Sequence, residues 1–145
     1  MQDPCPPAWQ RQRLLAFQQR LDAAHLQDGR QTLRRDTCGD YAIFGRLGHI
    51  YATPEGWQLC VETDASPRLW KNRWLKVKHR LAFCRLAQDG DDEGVMVLDD
   101  RAHDRDVSEA EAEAIRGALG IRRAVHLGAE AIAAKTSALE RMRTA

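Results

Sequence analysis

The sequence lacks any apolar run close to the roughly 18 residues that a transmembrane helix needs. Its N-terminal letters, MQDPCPPAWQRQR, place prolines and charges where a secretory signal needs a continuous apolar segment. We therefore expect a cytoplasmic protein that makes no membrane contact and has a disordered N-terminus over residues 1–7. The 145 residues, of which 43% are hydrophobic, are enough for a single domain, 1–145, that buries its own core.

Cysteine is scarce, and its spacing does not match a metal or redox site. Zinc sites and redox dithiols usually take two ligands from one short turn, whereas Cys5, Cys38, Cys60 and Cys84 contain no CxxC pair. This spacing predicts four free thiols and no bound metal. One thiol hypothesis remains open, in which Cys38 and His49 of neighbouring turns form a nucleophilic Cys–His pair.

Motifs of catalysis are also missing. The three serines are Ser66, Ser108 and Ser137, and the first two stand where helix caps are expected. No GxGxxG or phosphate-binding Walker loop is present. The sequence therefore predicts a protein that is not an enzyme and holds no cofactor, with a thiol- or metal-dependent enzyme as the open alternative.

Between Tyr41 and Glu62 the apolar residues recur with the period of two that is typical of β-strands. Three such segments, YAIF, HIYA and WQLCVE, are separated by GRLG and TPEG, which have turn chemistry. They predict a three-stranded antiparallel meander with Trp57, Leu59 and Val61 on one face. GVMVLDD, further along the chain, predicts a fourth strand that is apolar enough to lie inside a sheet.

Apolar residues at a spacing of three or four predict four helices. The expected elements are Ala8 to Asp28 with Gly29 as its C-cap, Pro67 to Gln88, a helix capped by Ser108 with Glu111 that runs to about Ala118 before Gly120, and about Gly128 to Arg143, with Ile132, Leu139 and Met142 as its apolar positions. The resulting order, αβββαβαα, indicates an α+β domain with helices on one face of a mainly antiparallel sheet.

The predicted helix from Pro67 to Gln88 has the clearest pattern in the chain. Its apolar residues step by four and three, which places them on one stripe; they are Trp70, Trp74, Val77, Leu81 and Cys84. The same segment carries seven basic residues and no acidic one: Arg68, Lys71, Arg73, Lys76, Lys78, Arg80 and Arg85. A basic helix near aromatic residues is a footprint of nucleic-acid binding, although such a face is more often only solvated.

A strongly acidic block follows the basic one directly. Residues 89–114 hold eleven acidic and two basic residues, although the whole chain is balanced at 21 against 22. The predicted docking residues for a protein partner are Asp89, Asp91, Asp92, Glu93, Asp99 and Asp100. Our first hypothesis is therefore a small binding protein, a regulator or inhibitor of bacterial type, that contacts another protein through charged surfaces. A DNA- or RNA-binding module led by the basic helix is the alternative.

The start of the acidic block also matches part of the register of a calcium-binding EF-hand loop. Counting Asp89 as position 1 puts Asp91, Glu93 and Asp100 at positions 3, 5 and 12, with Gly94 at position 6. Position 12 is usually glutamate, and VMVLDD is strand-like where the exiting helix should begin. We therefore expect an acidic turn here and no metal site.

Overall fold

The computed structural model describes residues 5–62, 66–125 and 129–144. Within them the chain forms four helices and eight strands, and the strands form two antiparallel sheets. In chain order the elements are α1 (Pro7–Arg20), β1 (Leu26–Gln27), β2 (Arg30–Gln31), β3 (Leu33–Arg35), β4 (Tyr41–Phe44), β5 (Gly48–Thr53), β6 (Gly56–Glu62), α2 (Pro67–Arg80), β7 (Arg85–Asp89), β8 (Glu93–Asp99), α3 (Glu109–Leu119) and α4 (Ala129–Thr144).

The main sheet has six strands in the order β3-β4-β5-β6-β8-β7, and every neighbouring pair is antiparallel. Strands β4, β5 and β6 are the predicted meander, and β8 is the predicted fourth strand inside the sheet. The α+β class is thus confirmed. Strands β1 and β2 form a separate two-stranded hairpin.

Helices α1, α2 and α3 pack on one face of this sheet. Trp57, Leu59 and Val61 of β6 point toward them and are fully buried, as the alternation predicted. Phe17 of α1 stacks on Trp57 with ring centroids 4.0 Å apart. Trp74 of α2 lies against β8, and buried side chains of α3 complete the same core. None of these three helices therefore packs on the opposite face of the sheet.

The cap residues that were predicted for α2 and α3 are confirmed. The Ser66 hydroxyl accepts the backbone N–H of Leu69 at the start of α2. Ser108 and Glu111 form a reciprocal capping box at the start of α3, and Gly120 ends that helix in the left-handed conformation. Each cap follows from local hydrogen bonding, which explains why the sequence alone could predict it.

The first helix is shorter than predicted. Helix α1 ends at Arg20, not at Asp28, and Asp22 already has a φ of 51°. Asp28 and Gly29, with φ of 53° and 76°, form the two-residue turn of the β1–β2 hairpin. Asp-Gly is a favoured pair for this turn because both positions need positive φ. Gly29 therefore makes a hairpin turn and not a helix C-cap.

The second helix is also shorter than predicted. Helix α2 ends at Arg80, and residues 85–89 form β7 beside β8, where a continuation of the helix was expected. Pairing with β8 supplies interstrand hydrogen bonds that a longer helix would leave unmade, and such tertiary pairing outweighs local helix propensity. Strand β3 was not predicted either, because LRR is too short and too basic to show alternation.

Each end of the chain is described only in part, so its prediction can be compared with the structure only in part. Of the N-terminus predicted to be disordered, residues 1–4 lie outside the described part of the chain. Cys5 is buried, its carbonyl accepts the Gln10 side chain at 2.7 Å, and Pro7 begins α1. In α4, Leu139 and Met142 are 60% and 77% exposed, and the side chain of Ile132 lies outside those described.

Among the described residues, no helix has both the length and the apolar content of a membrane span. The cytoplasmic location stays a prediction from the sequence.

Candidate interaction surfaces

The acidic residues after α2 lie at the turn of the β7–β8 hairpin. We call Asp91, Asp92 and Glu93 the acidic tip, since all three are exposed at the end of this hairpin. The backbone N–H of Gly90 donates to the carbonyl of Glu93 at 3.0 Å and closes the turn. The tip is therefore a surface feature held by its own backbone.

Asp89, at the base of this tip, is tied to helix α2. Its carboxylate accepts the indole N–H of Trp74 at 2.5 Å and the ammonium of Lys78 at 3.3 Å. The hydrogen bond from Trp74, together with the charge of Lys78, outweighs the effect of burial and lowers the pKa of Asp89. Asp89 therefore fixes the hairpin against the helix and is less free to dock a partner than the tip.

Asp99 and Asp100 do not belong to the same surface. The predicted docking residue Asp100 is 8% exposed and accepts the indole N–H of Trp57 at 3.0 Å. Two backbone N–H groups, of Asp104 and Arg105, also donate to it. Asp99 is exposed but is paired with Arg85 of β7 at 3.1 Å. Of these two adjacent aspartates, Asp100 therefore points into the protein and Asp99 points into solvent.

The basic residues predicted for one helix occupy three environments. Four lie exposed on α2 and form no salt bridge with a described carboxylate: Arg68, Lys71, Lys76 and Arg80. Arg73 is half-buried and donates to the carbonyl of Ala118 at 3.3 Å, and Lys78 pairs with Asp89. Arg85 is not on the helix at all, since it lies on β7.

Four of the five residues in the apolar stripe predicted for α2 are buried, with Trp70, Trp74, Val77 and Leu81 at 5% exposure or less. The fifth, Cys84, lies beyond the end of α2 and is half-buried. Two leucines point away from that stripe, Leu69 at 62% and Leu75 at 65% exposure. A groove of about 750 Å³ lies beside the contact between α2 and the hairpin, and its lining includes Leu75 and Asp91. We call α2, β7 and the acidic tip together the α2–β7 edge.

A second groove, of about 540 Å³, was missed by the sequence analysis. It lies between α1, the β1–β2 hairpin and β3, and Arg11, Arg34 and Arg35 line it. These arginines come from two separated segments of the chain, so no run of basic residues in the sequence predicts that they lie together. The short Asp-Gly hairpin that forms one wall was the only local signal of this site.

The described structure assembles neither the Cys38–His49 pair nor a calcium-binding EF-hand loop. The contacts of His49 in the described structure are with Phe44, Tyr51 and Glu62, and none is with Cys38. Positions 1 to 12 of the supposed calcium loop span the last residue of β7, the hairpin turn, all of β8 and Asp100. In the described part of the chain, no group of three or more His, Cys, Asp or Glu side chains is placed to hold a metal ion.

Comparison with known proteins gives no relationship: no family model matches the chain, and neither a curated protein nor a solved structure is significantly similar to it. The surfaces described above are therefore the basis on which a function can be proposed.

Proposed function

We propose that this protein is a non-enzymatic binding protein whose partner is another protein, contacted through the α2–β7 edge. The observation that carries the proposal is the open edge of β7. This strand ends the six-stranded sheet, and all five of its residues are exposed. An edge strand presents backbone N–H and C=O groups that can pair with another chain.

Exposed leucines add apolar contact area to this open edge. Leu69 and Leu75 of α2 and Leu86 of β7 are 62%, 65% and 45% exposed. A single exposed leucine needs no explanation, but Leu75 lines the groove beside the hairpin and Leu86 lies on the edge strand itself, and together they favour an interface there. A bulge between Leu86 and Gln88 twists β7, so we assign part of the contact to α2 side chains as well as to the strand backbone.

The charges of the α2–β7 edge favour a second copy of this chain as the partner. Lys71 of α2 and Asp91 of the acidic tip line the same groove, so a two-fold contact can bring each beside its opposite in the other copy. Arg85 and Asp89, at the two ends of β7, are already paired with Asp99 and with Lys78, so this complementarity does not depend on them. If the protein regulates or inhibits a further partner, that partner would then bind to surfaces that the dimer leaves exposed to solvent.

Analytical ultracentrifugation of the purified protein tests this assignment. We expect a dimer in the wild type and a monomer in the double variant Leu69→Glu, Leu75→Glu. The matched control is Leu139→Glu on α4, which also places a charge at an exposed leucine and should leave the dimer intact. Near-ultraviolet circular dichroism of each variant checks that the fold is kept.

Two results would overturn the proposal. A wild type that stays monomeric at about 100 µM has no self-association of useful strength. A dimer that dissociates in the Leu139→Glu variant but not in the α2 variant uses a different surface.

Nucleic-acid binding is the second candidate, and one observation favours it. Four exposed cations of α2 have no described acidic partner, which leaves them available to phosphates. If they bind phosphates, retention on DNA weakens steeply with salt, and changing Lys76 and Arg80 to Ala lowers the slope by about one for each phosphate that is no longer bound. The variant Asp91→Lys, Asp92→Lys should weaken a dimer without weakening DNA retention. No retention at low salt would eliminate this candidate.

A further inference from the structure

The groove between α1 and β3, described above, lies at the opposite edge of the sheet from β7. Helix α1 contributes Arg11 and Leu15, the β1–β2 hairpin contributes Leu26, and β3 contributes Leu33 and its two arginines. The six-strand order separates β3 from β7 by five strand spacings, or about 24 Å. The groove is therefore a site distinct from the α2–β7 edge. We call it the arginine groove.

The arginine groove carries positive charge that is not neutralised locally. Arg11, Arg34 and Arg35 form no salt bridge with any carboxylate of the described residues. Arg30 on the adjoining strand β2 adds a further cation, and burial together with the Arg30 charge lowers the pKa of Arg34. Cations held this close to one another favour an anionic ligand, because the ligand relieves their mutual repulsion.

Strand β3 offers backbone hydrogen-bonding groups to the same groove. The backbone N–H of Phe44 donates to Thr32, and that of Asp36 donates to Asp40, so the even-numbered residues of this segment face β4. Because antiparallel bonding alternates, the N–H and C=O groups of Leu33 and Arg35 face away from the sheet. In the described structure neither residue has a backbone hydrogen-bond partner outside the β3–β4 ladder.

Apolar side chains form part of the groove wall. Leu15, Leu33 and Tyr41 are half-buried there, and Leu26 is 67% exposed. Because side chains alternate along a strand, an extended chain that paired with β3 would place one side chain beside Leu33 and another, two residues away, beside Arg35 on the same face. The residue between them would lie beside Arg34 on the other face. The groove thus combines an open strand edge, apolar contacts and positive charge.

The aromatic faces near the groove argue against a nucleic acid as its ligand. Bases bind single-stranded sites chiefly by stacking on exposed aromatic rings. Here the guanidinium of Arg35 lies over the ring of Tyr41 at 5.0 Å, and that of Arg34 lies over Phe44 at 4.3 Å. Of these two rings only Tyr41 lines the groove, and it is half-buried with one face covered by Arg35, so it offers little surface on which a base could stack.

We infer that the arginine groove binds an extended acidic segment of a partner polypeptide, which adds a strand to β3 and pairs its carboxylates with Arg11, Arg34 and Arg35. One apolar side chain of the segment, beside Leu33, packs on Leu15, Leu26 and Leu33. This inference does not depend on self-association through β7, since the two sites use opposite edges of the sheet.

Fluorescence anisotropy with a labelled eight-residue peptide of glutamates with one central leucine or valine tests the inference. We expect saturable binding that the double variant Arg11→Glu, Arg35→Glu weakens at least ten-fold. The matched control, Arg68→Glu with Lys71→Glu, makes the same change in net charge on α2 and should bind as the wild type does. Thermal unfolding of both variants confirms that they remain folded.

Two further probes separate strand addition from general attraction to anions. A peptide of the same sequence with alternate backbone nitrogens methylated keeps its charge but loses strand pairing, and it should bind at least ten-fold more weakly. A single-stranded oligonucleotide of eight nucleotides should compete poorly. Equal binding of the methylated peptide, effective competition by the oligonucleotide, or an equal loss in the α2 control would each overturn the inference.

Discussion

Gly94 of strand β8 lies directly beneath the indole ring of Trp74 on helix α2, so close that a Cβ atom at position 94 would collide with the ring. The same indole donates its N–H to Asp89 on the neighbouring strand. One tryptophan thus joins the helix to both strands of the hairpin. The relative position of α2 and the acidic tip depends on this contact.

Replacing Gly94 with alanine should destabilise the protein by about 1–3 kcal/mol, because the methyl group forces the ring of Trp74 out of place. Urea unfolding followed by tryptophan fluorescence measures the loss. Gly117→Ala in α3 is the control, since a Cβ there meets nothing closer than 3.6 Å and alanine favours a helix. Equal stability of the Gly94 variant and the wild type would contradict the described packing.

Asp100→Ala should lower the free energy of unfolding by about 1–3 kcal/mol, because the buried indole N–H of Trp57 loses its acceptor. Two backbone N–H donors lose the same acceptor. Asp91→Ala at the exposed tip should change stability by no more than about 0.5 kcal/mol. The comparison separates the inward from the outward carboxylates, and a larger effect at Asp91 would show that the assignment is reversed.

The stabilisation from Asp100 should depend on pH. Burial raises its pKa, but the bonds from Trp57 and the backbone of Arg105 and Asp104 outweigh burial, so the folded pKa lies below the ordinary value. A lowered folded pKa stabilises the fold above the unfolded pKa, about 3.9, and that stabilisation disappears as the pH falls through the folded value. The stability difference between wild type and Asp100→Asn should therefore shrink as the pH is lowered from 6 toward about 3. A difference that stays constant over this range would count against an ionised Asp100.

Cysteine reactivity should separate the thiols by exposure. Burial raises the pKa of both Cys60 and Cys84 to about 12, so at pH 8 only about one in ten thousand of these thiols is ionised. Cys38 is exposed and Cys5 is buried. With a thiol-specific disulfide reagent, the folded protein should show one fast-reacting group. That group should vanish in the Cys38→Ala variant, and a fast thiol that persists there would contradict the described burial.

Cys38→Ala also tests the Cys–His hypothesis. We expect every binding activity of the wild type to remain in the variant, because His49 makes no described contact with Cys38 and is flanked by Phe44, Tyr51 and Glu62. Parallel binding assays on the two proteins provide the measurement. Loss of an activity in a variant that keeps its fold would restore the thiol as a functional group.

Much of the fold was predictable because it depends on interactions a few residues apart. The Ser66 and Ser108 caps, the meander between Tyr41 and Glu62 and the apolar stripe of α2 each follow from local hydrogen bonds or side-chain periodicity. Within the acidic tip, the exposure of Asp91 and Asp92 could also be predicted from the local sequence. The contacts of Asp89, Asp99 and Asp100 could be read only from the three-dimensional structure.

The sequence by itself determined the α+β class, the caps and the separation of basic from acidic segments, because periodicity, hydrogen-bonding side chains and charge are written along the chain. Only the tertiary structure decided that α2 stops at Arg80, that Asp100 turns inward while Asp99 does not, and that Arg11 and Arg35 share one groove. These outcomes depend on partners distant in sequence, such as β8 for β7 and Trp57 for Asp100. Burial and strand pairing between distant segments outweigh local preference, and no pattern of neighbouring residues specifies them.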